Sequence, residues 1–225
     1  MNNILDGIDN AKYVMIVADA KNLSRASALY SHLLRLHKKV SLVCESKNID
    51  NKFSFLPWFE KIKSSRVSSA DFIVELNCNT LELYDLFKNN GVKINPKMAT
   101  ALYCGLLVDT DGFLNNAVSG TIFAVAKELI ECGADYKTCN NFIMKRTTLS
   151  ALRLKAIMLK KMLLQNSAKA AVFYICDDDL KRAGATLEEC DEILQEALML
   201  PHVELSVLLN LDDEYEVIKI KVKEI

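Results

Sequence analysis

The amino-acid sequence predicts an α/β protein with a parallel-sheet N-terminal domain and a smaller α/β domain after it. Three observations predict this class. The apolar, β-branched runs 13–20 and 40–45 flank a helical pattern over 25–39, which indicates a strand–helix–strand unit with parallel strands. A long helical pattern over 147–166 follows later in the chain. After it, residues 167–225 have the pattern of a strand, a helix and a hairpin.

These patterns divide the chain into three parts. We predict an N-terminal α/β domain over 1–146, a connecting helix over 147–166 and a small C-terminal α/β domain over 167–225.

The middle of the first domain continues the alternation of strands and helices. Residues 53–63 contain Pro57 beside an aromatic cluster and predict a packed loop, and 70–76 is a third strand candidate. The helix predicted over 79–91 has a candidate cap at Asn79 or Thr80 and ends at Gly91.

The segment "GLLVDTDGF", residues 105–113, is the first candidate for a functional site. Its apolar run favours a buried strand that delivers Asp109 and Asp111 to the carboxyl edge of the sheet, where open α/β sheets bind ligands. The longer stretch 96–113 also fits a helix, or a helix that passes into a strand. A helix over 119–135 follows.

Composition limits the classes of function. The 225 residues are 51% hydrophobic, and 28 Lys and Arg balance 29 Asp and Glu. The chain therefore lacks the excess of basic residues that would indicate nucleic-acid binding. No apolar run reaches the roughly 18 residues of a membrane span, and the start lacks the pattern of a secretion signal, so we expect a cytoplasmic protein. Seven scattered cysteines without a C-x-x-C pair fit reduced core thiols.

Several strings resemble the DHH phosphoesterase family, the RecJ-like group of phosphodiesterases. "MATALYCGLLVDTDGF" resembles the family's fourth motif, which ends in a metal-binding aspartate, and "AKELIECGAD" resembles the helix after it. "ASALYSHLLRLHKKVSLVCE" resembles the first helix and second strand. The resemblance implies a catalytic domain that holds two divalent cations, usually manganese, and a smaller domain that clamps the substrate.

The sequence departs from the family pattern at most of the expected ligands. The family's His-x-x-x-Asp-x-Asp motif is missing, because "VADAKNLSRASALY" has Asn22, Leu23 and Ser24 about where the aspartates should lie. No Asp-His-His triplet occurs, and the interval from Pro57 to Asn79 is too short for the strand and loop that carry it. The glycine-rich GGGH loop is also missing, so the resemblance implies a truncated C-terminal domain.

Two hypotheses of function follow from these departures. The first is a degenerate DHH protein without metal-dependent hydrolysis and without a cofactor, which acts as a binding, scaffolding or regulatory module. The alternative is an active phosphoesterase for short oligonucleotides or cyclic dinucleotides, with Asp109, Asp111 and Asp19 around one Mn²⁺ or Mg²⁺. If it is active, these carboxylates should converge within about 5 Å. A purely structural role for Asp109, as a cap of the next turn, remains open.

Two further expectations concern ligands and partners. Lys21, Ser24 and Arg25 lie at the start of the first helix and are candidates for phosphate binding. A protein partner or a homo-oligomer is possible if the aromatic cluster of 53–59 is exposed, whereas burial in the core would leave it a packing role.

Overall fold

The computed structural model describes residues 2–46, 49–212, 214 and 216–224. The chain divides into two compact units, Met1–Arg146 and Thr147–Ile225. The predicted α/β class is confirmed, since the first unit contains a parallel sheet with helices and the second a smaller mixed sheet with helices.

The sheet of the first unit is entirely parallel, with the strand order β3-β2-β1-β4. Its strands are β1 (Tyr13–Ala18), β2 (Lys39–Cys44), β3 (Ile62–Lys63) and β4 (Phe72–Glu75). All six residues of β1 are buried, which explains its uninterrupted apolar sequence. Because β1 lies between β2 and β4, its carboxyl end is the point where the strand order reverses.

Six α-helices lie in the described residues of the first unit. They are α1 (Asn2–Asn10), α2 (Leu23–Arg35), α3 (Thr80–Asn89), α4 (Pro96–Asp109), α5 (Gly120–Glu131) and α6 (Tyr136–Asn140). The start of α3 is fixed by a capping box, in which Asn79 Oδ1 accepts from the Glu82 N–H and Glu82 Oε2 accepts from the Asn79 N–H, both at 2.9 Å. Asn95 caps α4 in a similar way, before a proline at the first helical position.

The strand predicted for residues 105–113 is wrong. The segment continues α4 to Asp109 and then turns, and ten consecutive residues of the helix, 98–107, are buried. A helix that is apolar on every side has the sequence of a buried strand, and only its surroundings distinguish the two. Here α4 packs against α2, α3, α5 and α6.

The aromatic cluster of 53–59 does not form an exposed patch. Phe53 is buried, and Phe55, Trp58 and Phe59 are half-buried against the core of the first unit. Trp58 donates its indole N–H to Ser31 Oγ at 2.8 Å, and its ring lies 5.9 Å from that of Tyr30. The cluster is therefore part of the packing of this unit.

The second unit has a four-stranded sheet of order β5-β6-β7-β8 in which only β6 and β7 are parallel. Its elements are α7 (Leu149–Lys161), β5 (Leu163–Gln165), β6 (Ala170–Cys176), α8 (Asp177–Ala183), α9 (Cys190–Ala197), β7 (Leu205–Leu211) and β8 (Val217–Glu224). Buried side chains of α7, α8 and α9 share one core with Phe173 and Leu208 of the sheet.

The helix predicted over 147–166 is shorter than expected and packs within the second unit. It ends at Lys161, and the next residues form β5, which pairs with β6. Because α7 also packs on α8, α9 and β6, it belongs to the second unit and is not a free connector.

Two other sequence features have counterparts in the structure. Within the described residues, no helix combines the length and apolar character needed to cross a membrane. All seven cysteines are free thiols, five of them buried. Burial raises the pKa of the Cys139 thiol to about 12, so this side chain is an inert part of the core.

Candidate functional site

A crevice of about 340 Å³ opens at the carboxyl ends of β1, β2 and β4 in the first unit. Its walls come from the strand ends and the loops that follow them. The lining residues are Val17, Ala18, Asp19, Asn22, Glu45, Ser46, Arg66, Glu75, Leu76 and Asn77. This is where the topology of an open α/β sheet places a ligand.

Arg66 and two glutamates form an ion-pair network on one wall of this crevice. The guanidinium donates two hydrogen bonds to Glu45, at 2.7 and 3.1 Å, and one to Glu75 at 3.3 Å. The hydrogen bond from Arg66 lowers the pKa of Glu45, so this carboxylate stays ionised. The network of one guanidinium and two carboxylates carries a net charge of −1 at the crevice wall.

Asp19 lies in the loop directly after β1 and is exposed. Its Oδ1 accepts the N–H of Asn22 at 2.8 Å, which stabilises the turn that leads into α2. Lys21, in the same turn, is also exposed. Asp19 thus borders the crevice as a turn-forming residue.

Asp109 lies at the end of α4 and both of its carboxylate oxygens have partners. Arg25 Nη1 donates to Oδ1 at 2.6 Å, and the Thr80 N–H at the start of α3 donates to Oδ2 at 2.8 Å. The Arg25 side chain is only 9% exposed and that of Asp109 is 23% exposed. This ion pair connects α2, α3 and α4 inside the first unit.

Polar atoms around this ion pair are tightly packed, and several are buried without a partner among the described residues. Arg25 also donates from Nη2 to the side chain of Asn22, which lines the crevice. Its Nε, Ser24 Oγ and Thr80 Oγ1 have no hydrogen-bond partner in the described part of the chain. A Cβ added to Gly105 would lie 2.4 Å from Thr80 Oγ1, so glycine is required where α4 approaches α3.

The loop after α4 turns sharply and directs Asp111 outwards. Asp111, Gly112 and Phe113 have positive φ angles of 49°, 67° and 68°. Asp111 is exposed, and the Gly112 N–H donates to the Leu107 carbonyl as the helix ends. Asp111 therefore lies in a turn, while Asp109 two residues earlier is engaged with Arg25.

The residues present do not fit the two-metal centre that the family resemblance implies. No group of three or more His, Cys, Asp or Glu side chains in the described ranges is arranged to hold a metal ion. Asp109 is neutralised by Arg25, and Asp19 and Asp111 serve separate turns. Of the predicted phosphate ligands, Ser24 and Arg25 are buried, Arg25 in its ion pair with Asp109, whereas Lys21 is exposed.

Sequence reasoning missed the partner of Asp109 and most of the crevice wall. Arg25 stands 84 positions from Asp109, and Arg66 stands 21 positions from Glu45, so neither pair has a local pattern. The one available signal was that Glu45 and Glu75 lie at the ends of predicted strands, as Asp19 does.

The fold and the crevice define a two-unit α/β protein in which ligand binding is expected at the carboxyl edge of a parallel sheet.

No family model matches the sequence. The bifunctional oligoribonuclease and PAP phosphatase NrnA of Bacillus subtilis is 26% identical over 194 residues, which are 84% of this chain. The chain spans 56% of the length of that relative.

Solved structures resemble the fold. An exopolyphosphatase-related protein from Bacteroides fragilis matches with a TM-score of 0.76 and 15% identity, over 100% of this chain and 82% of its own. RecJ from Thermus thermophilus, in complex with Mn²⁺, gives a TM-score of only 0.39 at 14% identity, over 100% of this chain and 46% of its own. The similarity to NrnA agrees with the resemblance of the fourth-motif segment to the DHH family of RecJ-like phosphoesterases.

Proposed function

We propose that this chain is a DHH-family protein that does not carry out two-metal hydrolysis and acts as a binding, scaffolding or regulatory module. The observation that carries the proposal is the ion pair between Arg25 and Asp109. Asp109 is the residue that matches the family's metal-binding aspartate, and in this chain its charge is already balanced by a guanidinium.

The energetics of this ion pair oppose metal binding. A divalent cation could bind Asp109 only if Arg25 moved away, and that would leave a buried guanidinium next to the incoming cation. Both carboxylate oxygens would also lose hydrogen bonds, including the one from the Thr80 N–H. Metal binding at this position would therefore disrupt the contact between α2, α3 and α4.

Titration of Mn²⁺ into metal-stripped protein, followed by calorimetry, tests this proposal. We expect no saturable heat for the unaltered chain at millimolar Mn²⁺, and the same result for Asp109→Asn. Tight binding that Asp109→Asn abolishes would contradict the proposal. Asp111→Asn is the matched control, because it removes an exposed carboxylate two residues away.

An active phosphoesterase is the second candidate, and the similarity to NrnA favours it. It is tested by incubating the protein with short oligoribonucleotides and with PAP, in the presence of Mn²⁺. Turnover that is lost in Asp109→Asn and retained in Asp111→Asn would support hydrolysis at this position. The absence of turnover, together with the absence of Mn²⁺ binding, would favour the module and direct the search to protein partners or self-association. Sedimentation velocity would then measure the oligomeric state.

A further inference from the structure

A second groove, of about 460 Å³, lies in the first unit at the ends of α2 and α3. Helices that follow the strands of a parallel sheet run antiparallel to them, so this groove lies at the opposite end of the sheet from the crevice. Its volume is within the range of small-molecule sites, which is roughly 300 to 1,000 Å³.

His32 lines this groove as a largely buried side chain. The residue is only 7% exposed, and its ring lies 5.4 Å from that of Phe87. Burial and then the nearby Arg35 lower the pKa of His32, so the neutral ring offers one donor and one acceptor.

Two cations lie at the rim of the groove. Arg35 and Lys93 are exposed, and Arg35 donates a hydrogen bond to the backbone carbonyl of Lys93, which brings the two residues together. Neither forms an ion pair with a carboxylate of the described residues. Asp9 also lines the groove, so the described lining residues carry a net charge of +1 when His32 is neutral.

The remaining wall of the groove consists of three apolar side chains and the Asn90–Gly91 turn. Leu5 and Val92 are half-buried and Leu36 is 41% exposed. A site with one net positive charge, a guanidinium fork and an apolar wall is complementary to a small molecule with one negative charge and a hydrocarbon part. Asp9 disfavours a dianion such as a phosphate monoester, because it would add repulsion.

We propose that this groove binds a small organic monocarboxylate. The carboxylate contacts Arg35 and Lys93, the imidazole of His32 supplies a hydrogen bond, and the hydrocarbon part packs on Leu5, Leu36 and Val92. The site is independent of the crevice at the other end of the sheet, so it does not rest on the proposed function.

Titration with sodium hexanoate, followed by NMR, tests the proposal on the full chain. We expect saturable shifts of the His32 ring protons and of the amides of 90–93, while His202 in the second unit serves as the internal reference. Hexan-1-ol has the same hydrocarbon chain without the charge and should bind at least about tenfold more weakly. Arg35→Gln and Lys93→Gln should each weaken hexanoate binding by a similar factor, since both side chains are exposed and their removal leaves the core unchanged.

Lys127→Gln is the matched control, because this lysine on α5 is 77% exposed and lies outside the groove. It should bind hexanoate as the unaltered chain does. Three results would overturn the proposal: no saturable shift at the groove, equal shifts with hexan-1-ol, or unchanged binding in both Arg35→Gln and Lys93→Gln.

Discussion

The two ends of the first sheet use their charged side chains differently. At the carboxyl end, Arg25 is paired with Asp109, and Arg66 with Glu45 and Glu75. At the opposite end, a buried histidine and two exposed cations have no carboxylate partner among the described residues. Arg25 and Asp109 are engaged with each other, whereas the two cations beside the groove have no such partner and remain available to a ligand. The charged residues that line the crevice sum to −2, whereas those described at the groove sum to +1 with a neutral His32, so the two ends suit ligands of opposite charge.

The largest expected effect is at the buried ion pair of the carboxyl end. Asp109→Asn should lower the free energy of unfolding by about 3 kcal/mol, because it leaves the Arg25 guanidinium buried without a counter-charge. Urea denaturation measures this change. Asp111→Asn should alter stability by no more than about 0.5 kcal/mol, since that side chain is exposed in a turn. Equal effects of the two substitutions would refute the structural role of the ion pair.

A smaller effect on stability is expected at Gly105, where α4 lies close to Thr80 at the start of α3. Gly105→Ala should lower the free energy of unfolding by about 1 to 2 kcal/mol, because the new Cβ would lie 2.4 Å from Thr80 Oγ1. The higher helix propensity of alanine offsets part of the clash. Gly120→Ala on α5 is the control, since its Cβ would have no neighbour within 4 Å and should not destabilise. A higher free energy of unfolding for Gly105→Ala would contradict the close approach of Gly105 to Thr80.

At the opposite end of the sheet, His32 should make the free energy of unfolding depend on pH. The pKa of His32 is lowered in the folded chain, while an unfolded histidine titrates near pH 6.5. Above pH 6.5 the imidazole of His32 is neutral in both the folded and the unfolded chain. As the pH falls through it, the unfolded state takes up a proton that the folded state does not, so stability decreases.

Denaturation at a series of pH values from about 7.5 to 5.5 measures this contribution, in a window above the usual titration of carboxylates. We expect a flatter dependence in His32→Gln than in the unaltered chain. His37→Asn is the control, because His37 is exposed at a positive φ of 56° that asparagine tolerates. If the unaltered chain and His32→Gln had the same slope, His32 would not be the buried neutral group.

The smallest effect on stability is expected at the exposed network of the crevice. Arg66→Gln should leave the denaturation midpoint nearly unchanged, because ion pairs between exposed side chains contribute little. It should nevertheless raise the pKa of Glu45, whose lowering depends first on the hydrogen bond from Arg66. Carboxyl NMR chemical shifts measure that pKa. An unchanged Glu45 titration would show that the network does not form in solution.

Much of the fold could be predicted from sequence because its signals are local. The strand–helix–strand start and the cap at Asn79 depend on residues close together in the chain. The strand predicted over 105–113 was wrong for a physical reason. An apolar run without a polar face has the same sequence pattern in a buried strand and in a buried helix. Neighbours from distant parts of the chain decide between the two.

The candidate sites were less predictable because they depend on contacts between distant residues. Nothing local in the sequence pairs Arg25 with Asp109, and a basic residue near a helix start suggested phosphate binding instead. The groove at the opposite end combines His32 with residues from the ends of α1 and α3, which no spacing rule connects. Resemblance to a family pointed to Asp109, but only the fold shows which charge it faces.

The pairing of Arg25 with Asp109 also bears on how this chain could change over generations. Replacing Arg25 alone would leave the partly buried Asp109 carboxylate without its counter-charge, so this step towards a vacant carboxylate would give a less stable protein. Marginally stable proteins rarely survive such a step without compensation elsewhere. A second, compensating substitution would be needed to restore that stability, so a free carboxylate at this position would be gained slowly.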